Sequence, residues 1–324
     1  METAYAIGID LGGTFIKGGV LDLSGNVIYK TSTETQAEKG PDVVLERMAA
    51  LARAVAAGAG IRLDQVRCVG VGSPGPLSTT DGIVYSAPNL PGWDNVPVKK
   101  ALQEKLGVPV LLENDANAAA YAENWVGAGR GASSMIMLTL GTGIGGGIVL
   151  DGDVWHGADD VAGELGHMSI NFDGPDCNCG GKGCLEAYAS APATVRRALK
   201  GIEEGRHTAL ETILESGEEI TAKVIYDAAV AGDDFAKETI QSTGRFLGIA
   251  VASFVNIFNP ELVVFFGGLA GAGDMLFEPT RREMKRRAIK PGADSVKIVP
   301  AELGSDAGII GAAGCALRRL ETSA

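Results

Sequence analysis

Apolar residues along this chain form short runs typical of strands and longer periodic stripes typical of helices. The first run covers residues 6–10, and a Gly12-Gly13-Thr14 turn separates it from a second run at 16–21, so a strand hairpin is predicted. An amphipathic helix opened by Pro41 follows, because apolar residues recur there at spacings of four, three and four: Val44, Met48, Leu51 and Val55.

The same two patterns alternate through the rest of the chain. Further strands are predicted at 27–30, 67–71, 108–112, 135–140, 148–150, 262–266 and 296–300. Further helices are predicted at 98–106, 116–126, 185–200, 221–231, 234–258, 274–289 and from about residue 305 onwards. Strands that alternate with helices indicate an α/β fold.

Two glycine-turn hairpins that resemble each other form an internal repeat. Residues 9–14 ahead of 18–22 match residues 140–143 ahead of 146–151. The repeat predicts two similar halves that face a shared cleft. A chain of 324 residues also exceeds the usual span of one core. We expect a small α/β domain at 1–115 plus 303–324, and a large α/β domain at 116–302.

Charge and hydropathy exclude several classes of protein. The chain has 28 basic and 40 acidic residues, a net charge of −12, which disfavours nucleic acid as a partner. The basic run at 281–287 is interrupted by an acid and is read as a solvated helix face. No apolar stretch reaches the roughly 18 to 20 residues of a membrane span. The first residues lack a signal peptide, so no membrane partner and a cytoplasmic location are expected.

The glycine turns are candidate phosphate-binding sites. The segment 141–146 matches G-x-G-x-x-G, but a strand follows it where the dinucleotide fingerprint needs a helix, and no P-loop pattern is present. Glycines still free backbone N–H groups to face anionic oxygens, and Thr14 and Thr142 add hydroxyl donors. The alternative is two ordinary hairpin turns.

Three of the five cysteines cluster within eight residues and predict a metal site. Cys177, Cys179 and Cys184, together with His167, form a Cys₃His set of the kind that a closed structural zinc site prefers. A reactive thiol pair or scattered buried cysteines are the alternatives. Such a zinc would also fix Glu164 and Glu186 near the imidazole, because both lie within three residues of a predicted ligand. Cys68 and Cys315 are interpreted as core residues.

A candidate proton acceptor lies where a predicted strand passes directly into a helix. Asp115 stands at this helix N-terminus, where the helix dipole favours the charged carboxylate that a base must be. The local sequence by itself favours a different interpretation, an aspartate that caps the helix. His156 and His207 have polar neighbours in the sequence, and both are predicted to be surface residues.

These motifs together resemble the ROK (repressor, open reading frame, kinase) family of sugar kinases over essentially the full length. Residues 10–17 resemble its first phosphate loop, 140–147 its second, and Gly267-Gly268 the place where the superfamily packs adenosine. Residues 113–118 match its sugar and base motif, and His-x₉-Cys-x-Cys-Gly-x₂-Gly-Cys-x-Glu matches its zinc motif. The resemblance implies an actin/hexokinase-like (RNase H-like) two-domain fold with an interdomain cleft.

The resemblance also implies roles for individual residues. Asp115 would deprotonate the 6-OH of the sugar, and Asp10 would act on Mg²⁺ through water. The remaining sugar hydroxyls would be bound by Asn89, Asn114, Glu164, His167 and Glu186. ATP would be bound by Asp10, Gly12, Gly13, Thr14, Thr142, Gly143 and Gly268. Lys17 is left outside this set because it is equally well read as a surface residue. A homodimer or homotetramer is implied.

Within the family, residues 114–131 and 140–147 look most like the glucokinases. The expectation is therefore ATP-dependent phosphorylation of glucose at the 6-OH, with structural zinc. Mannose, fructose and N-acetylhexosamine remain as alternative substrates, and a non-catalytic sugar sensor as an alternative function. ROK repressors carry a helix-turn-helix module ahead of the first phosphate loop, and only nine residues precede Asp10 here. A kinase is expected on that ground.

Overall fold

A computed structural model of the protein describes residues 4–87 and 89–322. The strands are β1 (Tyr5–Leu11), β2 (Phe15–Asp22), β3 (Val27–Glu34), β4 (Val66–Ser73), β5 (Leu77–Ser78), β6 (Ile83–Ser86), β7 (Asp94–Val96), β8 (Val110–Asn114), β9 (Ser134–Leu140), β10 (Ile144–Leu150), β11 (Asp153–Val154), β12 (Leu262–Phe266) and β13 (Lys297–Pro300).

The α-helices alternate with these strands. They are α1 (Pro41–Gly58), α2 (Val98–Leu106), α3 (Asp115–Val126), α4 (Leu185–Ala189), α5 (Ala191–Glu203), α6 (Ala209–Glu215), α7 (Ala222–Val230), α8 (Asp234–Phe258), α9 (Asp274–Arg287), α10 (Gly292–Ser295) and α11 (Ala307–Thr322). Among the described residues, no helix is both long enough and apolar enough to cross a membrane.

The chain divides into two compact units. Unit 1 contains residues 1–133, 147–163 and 302–324, and unit 2 contains 134–146 and 164–301. Helix α3 lies in unit 1, where it packs against α11. The border predicted at residue 115 would place this helix in the other domain.

Unit 1 is built on a five-stranded sheet of order β3-β2-β1-β4-β8. The first three strands form antiparallel pairs, whereas β4 and β8 run parallel to β1. Strands β1 and β4 are buried almost throughout, as expected for parallel strands covered on both faces. The carboxyl ends of three neighbouring parallel strands therefore lie at one edge of this sheet.

A second five-stranded sheet has the order β11-β10-β9-β12-β13, and the border between the units falls within β10 at residue 146. Its strands β9, β12 and β13 are parallel neighbours. Numbered within each sheet, both orders read 3-2-1-4-5. The prediction of two similar halves from the glycine-turn repeat is confirmed at the level of sheet order.

Helix α11 packs closely in unit 1 because glycines remove side chains at its contacts. A Cβ on Gly70 would lie 1.8 Å from the carbonyl oxygen of Ala312, and one on Gly311 would lie 1.7 Å from that of Ala118. Neither position therefore has room for a side chain. The close approach holds α11 against both β4 and α3.

Several predicted elements differ from the structure in detail. The helix predicted at 185–200 is two helices, α4 and α5, because the Ser190 hydroxyl accepts from Ala193 N and caps a new helix with Pro192 in its first turn. The strands of a small sheet, β5-β6-β7, have two to four residues each, too few for a periodic signal. Helix α8 has the bounds that were predicted for it.

Glu123 on α3 is a fully buried carboxylate whose oxygens accept hydrogen bonds from the backbone. Its oxygens accept from the backbone nitrogens of Ala128 (2.9 Å), Glu302 (3.1 Å) and Leu303 (2.9 Å). Backbone donors thus compensate the cost of burying the charge. Glu123 therefore joins the segment that follows α3 to the segment at which the chain returns to unit 1 at residue 302.

We expect Glu123→Gln to lower the free energy of unfolding by about 2–4 kcal/mol, because an amide offers one acceptor and turns its own donors towards buried N–H groups. The measurement is urea unfolding followed by tryptophan fluorescence. All three tryptophans, Trp93, Trp125 and Trp155, lie in unit 1 and report on it. The control is the exposed Glu104→Gln, for which a change within about 0.5 kcal/mol is expected. Equal effects of the two variants would contradict the assignment.

Candidate active site

The carboxyl ends of β1, β4 and β8 bring polar residues together in unit 1. In the parallel register Asp10 lies opposite Gly72, and Ser73 lies opposite Asn114. Ligands of open α/β sheets bind beyond the carboxyl ends of the strands. Asp10 and the Asn114–Asp115 turn therefore share the sheet edge at which a ligand site is expected.

The turn from β8 into α3 separates the capping role from the candidate base. Asn114 is the N-cap residue: its Oδ1 accepts from Ala116 N at 2.9 Å and from Asn117 N at 3.2 Å. Asp115 is the first residue of the helix and is half-buried, so the capping role that the local sequence favoured for it belongs to its neighbour. With Oδ1 of Asn114 engaged, the amide nitrogen is the group of this side chain that is oriented as a donor.

Asp10 is largely buried beside one basic side chain. Its carboxylate lies against the start of α11, where a Cβ on Gly308 would be 2.6 Å from the Asp10 Cγ. Burial raises the pKa of Asp10 above its usual value, and the ammonium of Lys17, 3.8 Å away, acts in the opposite direction. Lys17 lies opposite Asp10 in the β1–β2 ladder. A divalent cation would stabilise the same carboxylate in the same way.

The first glycine turn lies against the predicted sugar residue Asn89. Gly12 N donates to the carbonyl of Phe15 at 3.1 Å, and a Cβ on Gly13 would be 3.2 Å from the Asn89 Cβ. Thr14 is exposed at the tip, and its carbonyl accepts from Thr35 N at 2.8 Å. The structure thus brings the turn that was predicted to bind phosphate next to Asn89, which was predicted to bind sugar.

The second glycine turn lies in unit 2 between β9 and β10. Gly141 N donates to the carbonyl of Gly143 at 3.0 Å, and Thr142 is exposed at the tip. A Cβ on Gly267, whose φ is 105°, would be 2.5 Å from the carbonyl oxygen of Leu140. Gly268 follows with open space around its Cα. The predicted adenosine-binding glycine is therefore next to the base of the predicted phosphate turn.

Glu186 connects this turn to the cysteine cluster within unit 2. Its Oε2 accepts from Ile144 N at 2.8 Å, and its Oε1 lies 3.9 Å from the Cys177 Sγ. A Cβ on Gly143 would be 2.6 Å from Oε2, so a larger residue at that position would displace this oxygen. One carboxylate oxygen of this predicted sugar ligand therefore orients the glycine turn.

The predicted zinc ligands converge in unit 2. The ligand atoms of His167, Cys177, Cys179 and Cys184 all lie within 4.8 Å of one another. The Sγ atoms of Cys179 and Cys184 are 3.7 Å apart, and Cys177 Sγ is 3.7 Å from Nδ1 of His167. A tetrahedral site with Zn–S bonds of about 2.3 Å requires S···S distances of about 3.8 Å, so the geometry fits zinc.

The histidine of this cluster faces a second predicted site residue through its other nitrogen. Nε2 of His167 lies 3.9 Å from Oε2 of the exposed Glu164. An imidazole that binds metal through Nδ1 leaves Nε2 to donate, and a nearby carboxylate orients it. Cys68 and Cys315 lie elsewhere and are buried, which confirms their interpretation as core residues.

His156 is a functional candidate that the sequence did not reveal. It was predicted to be a surface residue, but its side chain is 21% exposed and Nε2 lies 2.8 Å from Oε2 of the buried Glu113. The polar neighbours of His156 in the sequence suggested an exposed side chain, whereas its partner Glu113 is 43 residues away along the chain. His207 is exposed, as predicted.

Comparison with known proteins matches residues 6–319 to the ROK family. A glucokinase from Thermotoga maritima is 40% identical over 320 residues, 99% of each chain. The crystal structure of a ROK family glucokinase from Streptomyces griseus in complex with glucose and AMPPNP superimposes with a TM-score of 0.78 at 33% identity, covering 97% of this chain and 99% of that one. A xylose repressor from Caldicellulosiruptor bescii is 33% identical over 96% of this chain and 77% of its own length.

Two five-stranded sheets with the same 3-2-1-4-5 order and a glycine turn after the first strand of each define an actin-like ATPase fold, which confirms the predicted fold class. The chain belongs to the ROK family.

Proposed function

We propose that this protein transfers the γ-phosphoryl group of ATP to the 6-OH of glucose. The relatives support the proposal, because a glucokinase is 40% identical over nearly the whole chain and a related glucokinase binds glucose and an ATP analogue. The observation that carries it is the position of Asp115. This half-buried carboxylate is the first residue of α3, and the neighbouring Asn114 already caps the helix.

In the proposed reaction Asp115 is the catalytic base. Its carboxylate accepts the proton of the 6-OH while the sugar oxygen forms a bond to the γ-phosphorus and the bond to the β–γ bridging oxygen breaks, which releases ADP. The N-terminus of α3 favours the negative charge that this role requires. Asn114 is the N-cap of this helix, and one oxygen of Asp115 also accepts from Ala116 N at 2.8 Å, which holds the carboxylate at the helix N-terminus.

Sugar recognition is assigned to side chains that donate and accept hydrogen bonds. The amide nitrogen of Asn114 donates to a sugar hydroxyl, since its oxygen is engaged in the helix cap. The other proposed sugar ligands are Asn89, Glu164, His167 and Glu186. A sugar hydroxyl or a protein group that is buried without a hydrogen-bond partner weakens binding. A hexose whose hydroxyls do not match these side chains is therefore bound less tightly than one whose hydroxyls do.

ATP is assigned to the two glycine turns. Backbone N–H groups of Gly12, Gly13 and Gly143 and the exposed hydroxyls of Thr14 and Thr142 are the proposed phosphate donors. Gly268 leaves open space for the adenosine. Asp10 is the proposed carboxylate on the Mg²⁺ side, and the ion would neutralise charge on the phosphates.

Zinc is proposed as a structural ion held by His167, Cys177, Cys179 and Cys184. Four protein ligands close the coordination sphere, so the ion supplies rigidity and no open position for substrate. The segment that it orders runs from His167 to Glu186, and His167 itself presents Nε2 towards Glu164. With the ion bound, the carboxylates of Glu164 and Glu186 and the imidazole of His167 would be held in fixed positions for the sugar.

Substrate preference tests the proposal against its rivals. With Mg-ATP, we expect the highest kcat/KM for glucose among glucose, mannose, fructose, N-acetylglucosamine and N-acetylmannosamine in a coupled ADP-release assay. Preference for another of these sugars would contradict the glucose assignment and retain the kinase. Tight sugar binding by calorimetry without ADP release would favour a sugar sensor, the function that similarity to the xylose repressor suggests.

A further inference from the structure

Glu113 is a buried carboxylate at the end of β8, one residue before the Asn114–Asp115 turn. Its side chain is 4% exposed, and both of its oxygens are engaged. Oε1 accepts from the backbone nitrogen of Asn114 at 3.0 Å and from Nδ2 of Asn117 at 3.3 Å. Oε2 lies 2.8 Å from Nε2 of His156. The Glu113 carboxylate is therefore hydrogen-bonded to the backbone at the point where β8 passes into α3. A buried ionised carboxylate needs a partner of opposite charge or a hydrogen-bond donor.

His156 supplies that partner from a distant segment of unit 1. It follows β11 and borders a cavity of about 140 Å³ whose lining includes Glu113, Tyr121, Asp153, Cys315 and Arg319. Burial lowers the pKa of His156, but the hydrogen bond and the negative charge of Glu113 outweigh it, so the pKa lies above its usual value. The imidazolium is thereby favoured as the donor to Glu113.

The loop that carries His156 is fastened at a second point. Asp160, four residues further on, accepts from Thr79 N at 2.9 Å and from Thr79 Oγ1 at 2.8 Å. Arg319 donates to the carbonyl oxygen of Thr79 at 3.1 Å. These bonds hold the loop independently of Glu113, so that His156 presents Nε2 from a fixed position.

We propose that Glu113 and His156 are positioning residues for the proposed phosphoryl transfer: the imidazole fixes the Glu113 carboxylate, which fixes the backbone of Asn114 and hence the sugar-binding amide and the catalytic base. This inference rests on the proposed function. Neither residue is proposed to touch the reacting atoms. The effect is transmitted through the 3.0 Å bond to Asn114 N.

The test compares His156→Leu with His156→Gln. Leucine removes the donor, and we expect kcat to fall roughly 10²-fold, as for a 1 Å misplacement of a catalytic group, with a weaker glucose Kd and an ATP KM within about two-fold. Glutamine restores a donor near the position of Nε2 and is expected to recover most of the loss. The matched control is Asp153→Asn, which breaks the ion pair of Asp153 with Arg318 at the same cavity without touching Glu113.

A second variant and a spectroscopic measurement keep the test decisive if the leucine variant does not fold. Glu113→Gln keeps the side-chain shape and is expected to lower kcat as His156→Leu does. The chain has three histidines, so the His156 ring proton can be followed by NMR. Its pKa is expected above the usual value in the parent protein and lower in Glu113→Gln. The charged and titratable groups around the imidazole are Glu113, Tyr121, Asp153, Asp160, Cys315, Arg318 and Arg319.

Two results would overturn the inference while the proposed function stands. One is a parent-like kcat and glucose Kd in His156→Leu and in Glu113→Gln. The other is a kcat loss of the same size in Asp153→Asn. If the parent protein binds glucose but phosphorylates no sugar, the proposed function fails, and an unchanged glucose Kd in His156→Leu then overturns the positioning role separately.

Discussion

Replacement of Asp115 by asparagine is expected to lower kcat by about 10² to 10⁴-fold, the usual contribution of a general base. The substitution is nearly isosteric, and its Oδ1 can still accept from Ala116 N, which the Asp115 oxygen does at 2.8 Å. The helix cap belongs to Asn114, so the start of α3 stays intact. The loss therefore isolates the proton acceptor, and the glucose Kd measured by calorimetry is expected to change little.

The chain offers a matched control for this variant in unit 2. Asp234 is also the first residue of a helix, and its neighbour Asp233 caps that helix by accepting from Ala236 N. Asp234→Asn makes the same chemical change at the same helix position in a residue that is assigned no role in the proposed site, and it is expected to keep kcat within about two-fold. If Asp115→Asn kept more than a tenth of the parent kcat, Asp115 would not be the base.

Loss of the metal site is expected to have the second large effect. Cys184→Ser removes one of four ligands, and we expect the purified variant to lose the zinc that the parent carries, one ion per chain by plasma mass spectrometry. Without the ion the segment from His167 to Glu186 loses its internal fastening. We expect the glucose KM to rise roughly 10 to 100-fold, the range seen when support of a metal site is removed.

The control for the zinc prediction is Cys68→Ala. Cys68 is a buried thiol on β4, and burial raises its pKa to about 12, so it is neutral at physiological pH and is not a metal-binding thiolate. This variant is expected to retain zinc and the parent glucose KM, with only a loss of stability. A parent protein free of zinc after supplementation, or a Cys184→Ser variant with an unchanged glucose KM, would contradict the structural role of the ion.

Local sequence predicted those elements whose determinants are themselves local. Helix α8 was placed correctly because its apolar spacing extends over 25 residues and Asn259-Pro260 ends it, with Asn259 at φ 46°. The two glycine hairpins were found because the turns repeat, and the sheet orders confirm the similarity of the halves. The Cys₃His set was recognised because its ligands are close in sequence as well as in space.

Features that depend on distant contacts were not accessible to the same reasoning. His156 was assigned to the surface because its neighbours in the chain are polar, whereas Glu113 is its decisive neighbour in space. The sequence by itself favoured Asp115 as the N-cap of α3, whereas the N-cap is its neighbour Asn114. Asparagine and aspartate are both good caps, so only the fold decides between them. Lys17 was left aside because it was equally well read as a surface residue; its side chain is 45% exposed, and its ammonium lies 3.8 Å from the Asp10 carboxylate.

The most direct measurement is ³¹P NMR of the protein with Mg-ATP and glucose. We expect the ATP signals to decrease while ADP and a single sugar phosphate form in equal amounts, and the phosphorus of the sugar phosphate to be coupled to the two protons on C6. Release of inorganic phosphate alone, or phosphorus coupled to a different sugar carbon, would contradict transfer to the 6-OH of glucose.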